Sequence, residues 1–155
     1  MKTIHWIIAV AALSFVQPSQ AATTDPEVII YRFPGVFDDG GAAGVGTATV
    51  FHCTNFSGVT ETIRLVTRRD DGSLLTNVTT GIAHLATKSA GTHSVNSYGL
   101  DVSLATGGIN QGTTAIAATS INIICTAMTI DAAAAKPAGV ALRGIRFNPI
   151  PGSQE

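Results

Sequence analysis

The sequence predicts an all-β domain, and three observations carry that expectation. Apolar residues recur at every second position through much of the chain, the spacing of half-buried strands. Glycines, several of them paired or next to aspartate, punctuate these stretches at short intervals. Helical periodicity is nearly absent: the one candidate helical turn, Ala132 to Ala135, is bounded by Pro137 and Gly139 and reads as a hairpin loop.

Taken in order, Glu27 to Phe33 is β-rich and stops at Pro34-Gly35. A glycine-rich approach, Asp38-Asp39-Gly40-Gly41, leads into Gly44 to Cys53. Val59 to Arg68 sets Val59, Ile63 and Leu65 on one face against Thr60, Thr62 and Arg64, with Glu61 a polar exception on the inner set. Asp70-Asp71-Gly72-Ser73 then closes a hairpin into Leu74 to Thr80, because glycine supplies the positive φ of a tight turn. Shorter strands follow at Ile82 to Thr87, Leu100 to Leu104 and Thr113 to Ala118, with turns at Gly91, Gly99, Gly107-Gly108 and Gly112. Ser120 to Ile130 is the strongest strand and Val140 to Phe147 the last; residues 148–155 read as a loose tail.

The start of the chain reads as an address. Lys2 precedes the apolar run Trp6 to Val16, Pro18 breaks it, and Ser19-Gln20-Ala21 puts small residues where a signal peptidase cuts. A membrane anchor needs about 20 apolar residues, which this run lacks. We therefore expect a signal peptide at 1–21, one domain at 22–147, and a secreted or periplasmic product with no membrane span. The low charged fraction (12%) against 45% apolar residues argues against disorder. A net charge of -1 shows no basic excess, so we expect no nucleic-acid footprint.

Cys53 and Cys125 are the only cysteines, and in an oxidising compartment an even pair reads as one disulfide. Cys53 shares a strand face with Phe51, and Cys125 shares one with Ile121 and Ile123, so both point inward. With about seven to nine strands and cysteines on an early and a penultimate strand, the layout resembles a single immunoglobulin-like antiparallel β-sandwich. That resemblance implies one inter-sheet disulfide. It departs from antibody-type domains in having no tryptophan after Cys53, and Ile123 where a tyrosine belongs. At the motif level, Phe51 to Gly58 (FHCTNFSG), Cys125 to Met128 (CTAM) and Arg146 to Pro149 resemble segments of secreted bacterial β-sandwich proteins of uncharacterised activity. The resemblance implies an exported β-domain and carries over no catalytic residue.

The residues that bear chemistry do not form a recognisable constellation. Cys125-Thr126-Ala127-Met128 has the cysteine and methionine of a copper loop but no histidine. Adjacent carboxylates Asp38-Asp39 and Asp70-Asp71 diverge on an extended chain and suit neither a glycosidase pair nor a calcium loop. No G-x-S-x-G elbow is present, and Gly40 to Gly46 lacks the Gly-Lys-Ser/Thr ending of a phosphate loop. We expect no cofactor, no metal and no enzyme activity. The reading is an exported protein with a cell-surface or extracellular interaction or structural role, its partner an unknown protein or surface polymer. Under the sandwich plan the turns Thr54 to Gly58 and Asp131 to Gly139 emerge at one end, offering Asn55, Phe56 and Lys136 as binding-loop residues. One alternative is a carbohydrate-binding or adhesive module, weakened by the shortage of tyrosine and tryptophan. Another is a metal protein or hydrolase using His52, His84 or His93.

Overall fold

A computed structural model of the protein describes residues 27–147. The export signal expected at 1–21 and the tail at 148–155 lie outside the described residues. Among the described residues ten strands form: β1 (Val28–Asp38), β2 (Thr47–Asn55), β3 (Glu61–Arg69), β4 (Leu74–Ile82), β5 (Thr87–Gly91), β6 (Val102–Ser103), β7 (Ile109–Ala118), β8 (Ile123–Asp131), β9 (Gly139–Leu142) and β10 (Ile145–Arg146). They make two five-stranded sheets, ordered β10-β1-β7-β3-β4 and β6-β5-β2-β8-β9. All pairings are antiparallel except the short β5–β6 contact.

The inner faces of both sheets supply one core. Ile30, Phe33 and Val36 of β1, Ile63 and Leu65 of β3 and Ile116 of β7 meet Phe51 of β2 and Ile123 of β8. Ile63 and Leu65 are spaced by two, as the pleat requires, whereas Ile30, Phe33 and Val36 are spaced by three because β1 carries register shifts between them. A second, smaller cluster lies on the outer face of the β2–β8 sheet, where Ala48, Val50 and Ile130 are covered by Val95, Tyr98 and Leu100. Gly91 is the last residue of β5 and not the turn expected there; a side chain on it would strike Leu100, so glycine lets this flap close.

The cysteines are bonded, but within one sheet rather than between two. Cys53 and Cys125 are direct cross-strand neighbours on β2 and β8, with Cα atoms 4.1 Å apart. Pointing inward places a residue in the core without saying which sheet its partner belongs to. A polar contact instead joins the layers: Phe37 N–H of β1 donates to Thr49 Oγ1 of β2 (3.0 Å), and that hydroxyl donates back to Phe37 O (2.8 Å).

Other expectations shift locally. The first strand does not stop at Pro34-Gly35 but passes through it with register shifts, Gly35 taking a φ of 80°. Residues 83–86 form the turn between β4 and β5 rather than strand. Ile121 precedes β8 and is 46% exposed, so it does not share the inward face of Ile123 and Cys125. The segment 132–138 is the β8–β9 hairpin loop, as expected from Pro137 and Gly139.

Candidate recognition surface

Strand direction fixes which loops meet. In the β2–β8 register Asn55 faces Ile123 and Thr47 faces Asp131. The turn after Asn55 and the hairpin after Asp131 are therefore at opposite ends, about 26 Å apart at a rise of roughly 3.3 Å per residue. Phe56 and Lys136 do not belong to one surface, correcting the expectation from the sandwich plan. What joins the Phe56 turn is the 83–86 turn and the 119–122 turn. Phe56 N–H donates to Asn122 O (2.9 Å), and Leu85 N–H donates to Asn55 O (2.7 Å).

Asn55 is the residue that ties this end together. Its side chain is fully buried (0% exposed), so it is no recognition residue. Nδ2 donates to Val59 O (2.7 Å) and Ile82 O (2.8 Å), while Oδ1 accepts from Ser57 N–H (2.8 Å). Both amide hydrogens and one carbonyl lone pair are thereby matched, which a buried asparagine requires. The amide holds the 56–60 turn closed and pins it to the end of β4.

On that frame stand apolar side chains with no cover. Phe56 is 50% exposed, Val59 61% and Leu85 66%; Ile121 and Ile124 flank them. Seven of the eleven exposed large hydrophobic residues among those described, these five with Val28 and Ile29, lie at this end of the sandwich. The turns 56–60, 83–86 and 119–122 contain no Asp, Glu, Lys or Arg. Leu85 adds strain to exposure, because its φ of 60° puts a branched apolar residue in the left-handed region. Such outliers collect at functional positions, where the surrounding structure holds them.

The opposite end has another character. Asp38 is buried (1% exposed); its Oδ2 pairs with His93 Nδ1 at 2.8 Å and its Oδ1 accepts Gly40 N–H at 2.7 Å. Asp39 accepts Gly41 N–H (2.9 Å) and Thr47 N–H (2.8 Å), and those donors hold its carboxyl below the usual carboxylate range. Asp38, Asp39 and His93 offer ligand atoms within 4.8 Å of one another. Yet His93 Nε2 also contacts Val45 O (3.1 Å), so both ring nitrogens and both carboxylates already serve as hydrogen-bond partners that shape the 39–46 loop. Fifty-five residues separate Asp38 from His93, a pairing with no signal in sequence spacing.

The histidines do not converge. His84 accepts Gly58 N–H through Nδ1 (3.0 Å) at the apolar end, and His93 lies at the aspartate end. His52 sits between them on the outer face of β2, not in open solvent. Its Nδ1 shares a hydrogen bond with Ser89 Oγ (2.8 Å), and Tyr98 packs edge-on at 4.5 Å between centroids. Burial lowers its pKa from the ordinary histidine value. A serine–histidine contact resembles a nucleophile and its base, but Nε2 is enclosed with no hydrogen-bond partner and no third group orients the ring. The tyrosines are equally occupied: Tyr31 is buried and Tyr98 donates to Met128 Sδ (3.5 Å), so neither is a free stacking platform for sugar. No family model, curated protein or solved structure matches the chain.

Proposed function

We propose that the chain is an exported, non-enzymatic β-sandwich that binds a protein or surface polymer through the end bearing Phe56, Val59 and Leu85. The observation that carries this reading is the coincidence, on three hydrogen-bonded turns with no charged residue of their own, of exposed apolar side chains and a strained Leu85. Apolar clusters of this kind on a folded surface mark interaction sites. Export rests on the signal-like start of the chain, and the Cys53–Cys125 disulfide supports it, since cystines persist in oxidising compartments. Among the described residues no helix is long and apolar enough to cross a membrane. The two-layer plan supports the immunoglobulin-like reading of the sandwich, with the bridge moved from between the sheets into one of them. The likeness of its FHCTNFSG and CTAM segments to secreted bacterial β-proteins points the same way.

Capture from the host's cell-surface fraction tests the proposal. Wild-type chain retains a partner that Phe56→Ser/Val59→Ser/Leu85→Asn does not, with the variant's melting midpoint intact. An identical captured set from both proteins would overturn it.

A further inference from the structure

A sandwich of two open sheets has four edges, and three of them here are blunted by length. β6 and β10 have two residues each and β9 has four, whereas β4 runs for nine. Folded proteins protect a long edge with charge, proline or a covering loop. Residues 72–87 contain no Asp, Glu, Lys, Arg or Pro, and among the described residues none pairs with β4 on its outer side. Thr76, Val78 and Thr80 lie opposite Thr67, Leu65 and Ile63 of β3 on the core side, yet each remains only partly buried at this open seam.

We propose that this edge pairs with β4 of a second copy of the chain, antiparallel and two-fold about Val78. Val78 is the midpoint of Leu74–Ile82, so that axis overlaps all nine residues. Thr76 then faces Thr80 on the inner side and Asn77 faces Thr79 on the outer side, with no like charges opposed. Identical patches related by a two-fold form a closed dimer, and the two β4-edged sheets become one continuous ten-stranded sheet. Charge also fits. The same axis carries the Asp70-Asp71 turn of one copy toward the His84 turn of the other, and because His84 Nδ1 accepts Gly58 N–H, its ring proton is on Nε2 and available to an acid. This contact is lateral and meets the apolar end only at the 83–86 turn, leaving the Phe56 turn outside it.

Sedimentation of the purified chain tests it. The wild type is expected to run as a dimer. Asn77→Lys/Thr79→Lys and Asn77→Glu/Thr79→Glu, at exposed positions on the outer face, are each expected to run as monomers, and their mixture as a dimer. Phe56→Ser, on a turn outside the contact, stays dimeric. A monomeric wild type overturns the proposal. A dimer that survives both charged pairs, or is lost on changing Phe56 alone, overturns it too and moves the contact off β4.

Discussion

The carbonyl of Asn55 accepts the N–H of Leu85 at 2.7 Å, and the residue so fastened is a leucine in the left-handed region, 66% exposed. A buried asparagine on one strand end thus holds a strained, outward leucine on the neighbouring turn. The strain is local, and its effect is to present apolar surface on a rigid support. Four predictions follow from this arrangement and from the core beneath it.

Asn55→Ala removes two donors and an acceptor, leaving buried Ile82 O and Ser57 N–H without their side-chain partner and Val59 O with only the Ser57 hydroxyl. An unsatisfied buried group costs about 1–3 kcal/mol, so urea unfolding should register a loss of at least that order. Asn55→Asp should be no milder, because a carboxylate cannot donate to either carbonyl. A midpoint unchanged by both substitutions would show that Asn55 does not hold the turn.

Leu85→Asn should act in the opposite sense. Asparagine tolerates φ near 60° where leucine does not, so the exchange should raise stability by up to about 1 kcal/mol. Partner capture should fall at the same time. Stability gained with binding lost is the signature of strain retained for function. A destabilised Leu85→Asn would mean that the leucine packs rather than presents.

Joint replacement of Cys53 and Cys125 by alanine should lower the melting midpoint while leaving the strand register intact. The bridge spans 72 residues, and loop closure on that scale contributes at most about 4 kcal/mol. The β2–β8 ladder runs through nine paired positions from Thr47–Asp131 to Asn55–Ile123, so the sheet keeps its alignment without sulfur. Amide exchange should therefore still protect Phe51 and Ala127 in the variant.

Acid should weaken the fold partly through His52. Its folded pKa lies below the unfolded 6.5 because burial disfavours the charged ring. The unfolded chain consequently binds the proton first, and stability is lost as pH falls from about 6.5 toward the folded value. Half-burial keeps the effect modest. His52→Asn should flatten the slope of the melting midpoint between pH 7 and 5; an unchanged slope would assign it elsewhere. Asp101 acts in the same direction at lower pH: the Ser89 N–H first, then Lys88, hold its carboxyl below 3.8, so its contribution is present above that pH and lost below.

Much of the fold is legible in the sequence because strand periodicity is local. Phe51 and Cys53, or Ile123 and Cys125, announce an inner face through spacing alone. Which inner faces lie side by side and which lie across the core depends on pairing, and no local pattern encodes it. That is why the disulfide can be read from two cysteines while its place within one sheet cannot. The same gap separates Phe56 from Lys136: each stands in a turn that the sequence marks, but only the antiparallel register of β2 and β8 puts those turns at opposite ends. Asn55 misleads for a different reason. A polar residue in a turn reads as solvent-facing, whereas here its amide replaces backbone partners. Leu85 gave no signal, since a left-handed leucine is dictated by the turn that the rest of the fold closes.

Hydroxyl-radical footprinting of the chain, alone and bound to material captured from the host surface, tests the central claim most directly. The account predicts that Phe56, Val59 and Leu85 lose reactivity on binding while Leu74 and Val45, exposed at the far end, keep theirs. Protection at the aspartate end around Val45, with Phe56 and Leu85 unchanged, would contradict it.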